Sequence, residues 1–175
     1  MLKGKTALVT GSTSGIGLGI AQALARQGAN IILNGFGDAE APKAQVQAAM
    51  GDSGARVGYH GADMSKASEI EAMFAYAAKE FGQVDILVNN AGIQHVANVQ
   101  DFPVDRWDAI IAINLSSAFH TSRLALPAML KSNWGRIINV ASVHGLVGSA
   151  GKSACVAAKH GGVGRTEVTA LAEAT

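Results

Sequence analysis

The 175-residue sequence predicts an α/β domain built on a doubly wound parallel sheet. Short β-rich segments alternate with longer helical segments along the whole chain, which is the pattern of repeated βαβ units. Three strand segments are apolar on both faces, namely Ala7–Val9, Ile86–Val88 and Ile137–Val140. Strands of this kind belong to parallel sheets that helices cover on both sides. The length fits a single domain over residues 1–175.

The first strand is Thr6–Thr10, an apolar and β-rich run. The helix Ile16–Gln27 follows, because its apolar residues recur at helical spacing and Gly28 provides a stop. Asn30–Asn34 is the second strand. A loop rich in glycine and aspartate then leads to a helix from Pro42 to about Met50, since proline suits the first turn of a helix.

The middle of the chain repeats this alternation. Arg56–His60 is the third strand, and Ser65 is the predicted N-cap of a helix over Lys66–Phe81 whose apolar residues share one face. Val84–Asn89 is the fourth strand. These segments extend the βαβ pattern without any linker or internal repeat.

The last third holds two helical stretches, a strand and a final helix. Trp107–Ile113 and Leu115–Leu130 are the two stretches, and we expect Pro127 to kink or end the second. Arg136–Val140 is the fifth strand. The final helix begins near Ser153 and continues to the terminus.

Composition excludes several classes of protein. With 14 basic and 13 acidic residues the net charge is +1, so neither a polybasic nucleic-acid surface nor an acidic tail can form. The single cysteine, Cys155, allows no internal disulfide and no thiolate metal cluster, which favours a reducing cytosol. No signal peptide and no membrane-spanning apolar run is present. We therefore expect a soluble cytoplasmic protein without metal, nucleic-acid or membrane partners.

A glycine-rich turn follows the first strand and carries the pattern Gly11-x-x-x-Gly15-x-Gly17. Glycines let backbone N–H groups approach a diphosphate, and the N-terminus of the next helix favours negative charge. The pattern predicts a dinucleotide site, and an ordinary tight turn is the alternative.

Polar residues also follow the fourth and fifth strands. The fourth ends in Asn89–Gly92, where two adjacent amides can bridge neighbouring loops, although a plain polar strand end has the same appearance. The fifth ends in Ala141 and Ser142, and Lys159 lies in the last helix. Because the carboxyl ends of parallel strands meet at one edge, ligands bind there.

These motifs together resemble the short-chain dehydrogenase/reductases in order and spacing, over the whole chain: Thr10–Gly17, Asn89–Gly92, Asn114, Ser142 and Lys159. The resemblance implies a Rossmann-like fold and a nicotinamide dinucleotide cofactor. The residues it assigns to cofactor binding are Gly11, Thr13, Ser14, Gly15, Ile16, Gly17, Phe36, Asp63, Asn90, Gly92 and Lys159.

Within that family, three segments resemble the bacterial D-3-hydroxybutyrate dehydrogenases: Asn34–Gly37, Ile93–His95 and His144–Ala154. The resemblance implies NAD-dependent interconversion of D-3-hydroxybutyrate and acetoacetate. The residues it assigns to substrate binding are Gln94, Ser142, His144 and Lys152. A cation with neutral donors suits a small carboxylate. Taken singly, a loop lysine is usually only solvated and a lone histidine is usually structural, which is how we interpret His95.

The charge pattern favours NAD over NADP. No Arg or Lys lies between Arg26 and Lys43, so the turn after the second strand lacks a cation for a 2′-phosphate. Asn34 stands where the usual ribose-binding acid would be, and Phe36 can pack near adenosine. By resemblance Asp63 and Asn90 flank the adenine and ribose; an ordinary turn acid is the alternative for Asp63.

The family uses a serine, a tyrosine and a lysine, supported by an asparagine. The resemblance assigns Asn114, Ser142 and Lys159 to catalysis and places Cys155 at the tyrosine position, one helical turn before the lysine. A thiol is too short to reach where the phenol oxygen would lie, and losing acid–base catalysis costs about 10²–10⁴-fold. We expect impaired turnover. The alternative for Cys155 is a small buried apolar residue.

Family members usually continue with two further strands and a helical lid, so the chain ending at Thr175 is C-terminally truncated relative to them. We therefore expect the fifth strand to be an unpaired apolar edge, and Arg165 is unexpected in a helix that should be mostly apolar. Family members form tetramers, which implies a homo-oligomer. Two hypotheses stay open: an NAD-dependent oxidoreductase, and a non-catalytic dinucleotide-binding or oligomerising module.

Overall fold

The computed structural model describes residues 1–173, which contain one parallel sheet with helices on both faces. The strands are β1 (Thr6–Val9), β2 (Asn30–Asn34), β3 (Val57–His60), β4 (Ile86–Asn89) and β5 (Arg136–Asn139). The helices are α1 (Gly15–Arg26), α2 (Glu40–Met50), α3 (Ala67–Phe81), α4 (Val104–Ile111), α5 (Ser117–Ser132) and α6 (Ser153–Glu173). Residues 174–175, where the last helix was expected to continue, lie outside the described residues.

The five strands lie in the order β3-β2-β1-β4-β5 and all pairs are parallel. The chain therefore winds outward from β1 to β3 and then returns to the other side of β1. This reversal between β1 and β4 is the switch point at which α/β sheets bind ligands. The predicted doubly wound, Rossmann-like fold is confirmed.

Alternate residues of the strands are buried in two separate helical layers. Ala7 and Val9 pack with α1 and α2, whereas Leu8 and Leu87 pack with α3 and α5. All four are fully buried, and each large apolar side chain contributes about 1.5–3 kcal/mol of stabilisation. Burial on both sides explains why these strands are continuously apolar in the sequence.

The predicted cap of α3 is wrong. Lys66 occupies the N-cap position without a side-chain capping bond. The Ser65 hydroxyl instead donates to Asp63 Oδ1 at 2.7 Å, and the Ser65 N–H donates to the same oxygen at 2.9 Å. Asp63 organises a local turn over residues 63–65, and α3 begins at Ala67, one residue later than predicted.

The region around Asn114 is helical throughout instead of forming two separate stretches. A π-helical segment (Ala112–Ser116) joins α4 to α5, and Asn114 lies inside it. Pro127 does not end α5, which continues to Ser132. Ala125 and Met129 on either side of the proline are buried against the sheet, and this packing keeps the helix intact around the lost hydrogen bond.

Strand β5 forms the edge of the sheet in residues 1–173, as expected, because it pairs only with β4. Ile138 on this strand is 46% exposed. A groove of about 630 Å³ runs beside β5 between α5 and α6, with Trp134 and Thr166 among its lining residues. No helix within this part of the chain is long and apolar enough to cross a membrane.

Candidate active site

Thr10 joins the carboxyl ends of β1 and β4. Its hydroxyl oxygen accepts from the N–H groups of Asn90 and Ala91, each at 3.0 Å, and its O–H lies 3.3 Å from the Val88 carbonyl. The Asn90 side chain completes the connection, because Nδ2 donates at 2.9 Å to the carbonyls of both Thr10 and Gly11. Asn90, predicted to bind cofactor, thus also holds the glycine turn against β4.

Glycine is required by contact at two positions of this turn. Gly11 has φ +60°, and a Cβ there would lie 2.8 Å from Cα of Ala91. A Cβ on Gly17 would overlap the Gly11 carbonyl and approach Asn90 Nδ2 at 2.5 Å. The turn is therefore packed closely against Ala91 and Asn90, which leaves no room for a side chain at either position.

The N-terminus of α1 opens from this turn. Ser14 occupies the N-cap position without a side-chain capping bond, and Ser14, Gly15 and Ile16 are exposed. First-turn N–H groups have no partner inside a helix and form its positive end. The neighbouring Thr13 lies against Gly35, and a Cβ on Gly35 would overlap the Thr13 hydroxyl. The cradle fits the diphosphate of a dinucleotide.

Asn34, at the usual position of a ribose-binding acid, supports the turn. Its Oδ1 accepts from the Gly11 N–H at 3.2 Å, and its Nδ2 donates to the carbonyls of His60 and Ala62 at 3.1 and 3.0 Å. The residue is fully buried. Both amide hydrogens are used, so Asn34 has no donor left for a ligand. These three contacts were not predictable from the sequence.

Phe36 and Asp63 follow β2 and β3 at the same edge of the sheet. Phe36 is 70% exposed. Hydrogen bonds from the N–H and the hydroxyl of Ser65 lower the pKa of Asp63, and Lys66 lowers it further. Asp63 therefore carries its negative charge at neutral pH.

Lys159 and Cys155 lie one turn apart on α6. The Lys159 ammonium donates to the Val140 carbonyl at 2.6 Å, immediately after β5. Burial lowers the pKa of Lys159, and the nearby Cys155 thiol raises it by a smaller amount. Cys155 is buried, with Sγ 4.0 Å from the Ile93 carbonyl.

Asn114 holds the loop that follows β4. Its Oδ1 accepts from the Ile93 N–H and its Nδ2 donates to the Ile93 carbonyl, both at 2.9 Å. Gly92 faces the same amide, since a Cβ there would lie 3.5 Å from Asn114 Oδ1, an ordinary contact. The sequence assigns Asn114 to catalysis but does not show this contact, which depends on the π-helical segment.

The predicted substrate residues lie on two loops. Ser142 Oγ accepts from the His144 N–H at 3.3 Å and lies 3.4 Å from His144 Nδ1, so the structure brings these two together. Gln94 is exposed on the loop after β4, and Lys152 lies just before α6. His95 packs against Phe102 with ring centroids 5.3 Å apart, which accounts for it without a ligand.

A polar network that the sequence did not reveal lies behind the site. Thr121 donates to Asn89 Oδ1 at 2.6 Å, and Asn89 Nδ2 donates to Asn139 Oδ1 at 2.9 Å. Arg165 donates to the same oxygen of Asn139 at 2.8 Å and to Ser122 Oγ at 3.1 Å. Burial lowers the pKa of Arg165. The unexpected arginine therefore ties α6 to β5 and α5.

Within residues 1–173, no group of three or more His, Cys, Asp or Glu side chains lies close enough together to hold a metal ion. The chemistry at this edge of the sheet rests on amides, hydroxyls and two lysines. Their arrangement can hold a dinucleotide beside a small anionic molecule.

Comparisons with known proteins agree with this arrangement. A family model described as short chain dehydrogenase matches residues 5–175. The chain is 75% identical over 171 residues to a D-beta-hydroxybutyrate dehydrogenase of Cupriavidus necator, and 59% identical over 167 residues to one of Rhizobium meliloti. These matches cover 98% and 95% of this chain but 66% and 65% of the relatives, so the chain spans about two thirds of their length.

A solved structure shows the same fold. The crystal structure described as that of a short-chain alcohol dehydrogenase from Sinorhizobium meliloti 1021 superimposes with a TM-score of 0.90 at 34% identity. The match covers 99% of this chain and 68% of that one.

Proposed function

We propose that this chain, which belongs to the short-chain dehydrogenase family, binds NAD and interconverts D-3-hydroxybutyrate and acetoacetate. We also propose that Cys155 impairs its turnover. One observation carries the proposal. The glycine turn after β1 and the residues Ser142 and Lys159 after β5 and on α6 lie at the same edge of one parallel sheet. The 75% identity to the Cupriavidus necator dehydrogenase supports the choice of substrate.

The choice of NAD rests on charge near the adenosine end. The segment between Arg26 and Lys43 contains no cation, and Phe36 presents an exposed ring there. A 2′-phosphate would lack a neighbouring cation in this segment. The N-terminus of α1 would hold the diphosphate, and the nicotinamide ring, when bound, supplies the hydride acceptor.

The substrate would bind between the two loops. Lys152 has no ion pair among the described residues. Its ammonium would bind the carboxylate, with Gln94 and His144 as neutral donors. Ser142 would donate a hydrogen bond to the reacting oxygen of the substrate.

Proton transfer is the weak step of this chain. Lys159 keeps two ammonium hydrogens beyond the one it donates to Val140, and these can bind ribose hydroxyls while the charge stabilises a developing anion. Cys155 is only 7% exposed and has a short side chain. It is therefore poorly placed to remove the hydroxyl proton of a substrate.

The short, buried side chain of Cys155 also favours a second candidate function, that of a non-catalytic module that binds the dinucleotide. A tetrameric assembly, which the resemblance implies, and a cytoplasmic location, which the single cysteine favours, are also part of the proposal. Light scattering of the purified chain tests the assembly.

The test compares the chain with Cys155→Tyr and Cys155→Ala. We expect calorimetry to show NAD binding in all three and weaker binding of NADP. In the D-3-hydroxybutyrate assay, Cys155→Tyr should raise turnover by about 10²-fold or more, and Cys155→Ala should leave it unchanged. Absence of heat with both coenzymes would overturn the dinucleotide site. NAD binding without any turnover, even in Cys155→Tyr, would favour the non-catalytic module.

A further inference from the structure

The two loops that carry Gln94 and Lys152 are joined by a single backbone hydrogen bond. The Ala97 N–H donates to the Gly151 carbonyl at 2.9 Å. We call residues 93–97 the Gln94 loop and residues 146–152 the Lys152 loop. Asn114 holds the other end of the Gln94 loop through both backbone groups of Ile93. Gln94 therefore lies between two anchors, one on the π-helical segment and one on the opposite loop.

The backbone conformation of Gly151 and its contact with Val96 both favour glycine at this position. Its φ of +69° lies in the left-handed region, which a residue with a Cβ rarely adopts. A Cβ there would also lie 3.0 Å from Cγ1 of Val96 and 3.6 Å from the Ala97 carbonyl oxygen. A side chain at this position would strain the backbone and crowd Val96, at the point where the Gly151 carbonyl accepts from Ala97.

Gly151 is joined directly to Lys152, whose backbone is bonded to neighbouring residues on both sides. The Lys152 N–H donates to the Ser149 carbonyl at 3.3 Å, and its own carbonyl accepts from the Val156 N–H at 2.9 Å in the first turn of α6. The Lys152 backbone is thus held from both sides, and Gly151 is the adjoining residue. Among the hydrogen bonds of residues 1–173, the one from the Ala97 N–H to the Gly151 carbonyl is the only one that joins the Gln94 loop to the Lys152 loop.

We infer that Gly151 is a positioning residue, which sets the distance between Gln94 and Lys152 and thereby the affinity of the site for the substrate carboxylate. The inference rests on the proposed function, in which these two side chains hold the substrate carboxylate. A misplacement of about 1 Å in such a site can cost about 10²-fold. The glycine turn that binds the dinucleotide lies on other elements and should be unaffected.

The experiment measures acetoacetate binding to the NADH complex by fluorescence, which needs no turnover. Gly151→Ala should weaken acetoacetate binding about tenfold or more and leave the NADH dissociation constant unchanged. Binding of 3-oxopentanoate should weaken by the same factor, because its extra methylene lies at the end opposite the carboxylate. Gly148→Ala is the matched control, since Gly148 lies on the same loop with φ outside the left-handed region and no atom within 4 Å of its added Cβ.

Two further variants separate the effect of the contact between Gly151 and Val96 from general misfolding. Gly151→Asn tolerates the left-handed conformation better than alanine, so it tests the Val96 contact if Gly151→Ala does not fold. Adding Val96→Ala to either variant should restore part of the acetoacetate affinity. Equal acetoacetate binding by the unchanged chain and Gly151→Ala would overturn the inference. Absence of acetoacetate binding in the unchanged chain would instead overturn the proposed function.

Discussion

Asn114 and Ile93 exchange two hydrogen bonds, so that one side-chain amide satisfies both backbone groups of a loop residue. Ile93 donates to Oδ1 and accepts from Nδ2, each at 2.9 Å. The same Ile93 carbonyl lies 4.0 Å from the sulfur of Cys155. The amide therefore holds the start of the Gln94 loop beside the position where the family has its tyrosine.

Asn114→Asp should disturb the Gln94 loop, although aspartate and asparagine have nearly the same shape. The carboxylate keeps the acceptor for the Ile93 N–H but faces the Ile93 carbonyl without a hydrogen to donate. We expect the free energy of unfolding to fall by about 1–2 kcal/mol, measured by urea denaturation, and acetoacetate binding to weaken. Asn98→Asp, on an exposed loop position, is the control and should change neither quantity.

Gly17→Ala and Gly19→Ala should act in opposite directions although both lie on α1. The Cβ at position 17 would overlap the Gly11 carbonyl, whereas position 19 is exposed with no atom within 4 Å. We expect Gly17→Ala to lower stability by about 1–3 kcal/mol and NADH affinity more than tenfold. Gly19→Ala should raise stability by about 0.5–1 kcal/mol. Equal NADH affinity in the two variants would contradict the proposed cradle.

Because of Lys159, the free energy of unfolding should rise with pH between the lowered pKa of this residue in the folded chain and its ordinary pKa of 10.5. Burial lowers its pKa in the folded chain, so the unfolded chain binds more protons between the folded value and 10.5. The resulting destabilisation is full below the folded pKa and disappears above 10.5. Urea denaturation of the chain and of Lys159→Met across pH 7–10 checks this. The difference in unfolding free energy between them should shrink as pH rises; a constant difference would refute the assignment.

Arg165→Leu should leave stability unchanged or raise it by about 1 kcal/mol, because it removes a half-buried charge without a carboxylate partner. Its two acceptors keep other bonds: Ser122 still donates to Ala118, and Asn139 still accepts from Asn89. Asn139→Leu is the contrast, since it leaves Asn89 Nδ2 unpaired and should cost about 1–3 kcal/mol. Thermal denaturation of both variants measures the effects. A large loss in Arg165→Leu would mean that the arginine is essential to the network.

The fold was predictable because its determinants are local and repeated. Apolar strands such as Ile86–Asn89 lie close to their predicted positions, and Gly11 and Gly17 mark the turn that backbone contacts require. The cap predicted at Ser65 was wrong, whereas Pro127 lies inside α5 without ending it. Ser65 is bonded to the Asp63 carboxylate, and α5 is buried against the sheet on both sides of Pro127.

By itself the sequence determined the α/β class and the order of strands and helices along the chain, since periodicity is a property of neighbouring residues. Its motifs also carry the resemblance to the family. Only the tertiary structure decided which partners the amides of Asn34, Asn90 and Asn114 take. Their partners lie up to 80 residues away along the chain. A hydrogen bond depends on distance and angle to within fractions of an ångström, and those are set only when the helices have packed on both faces of the sheet.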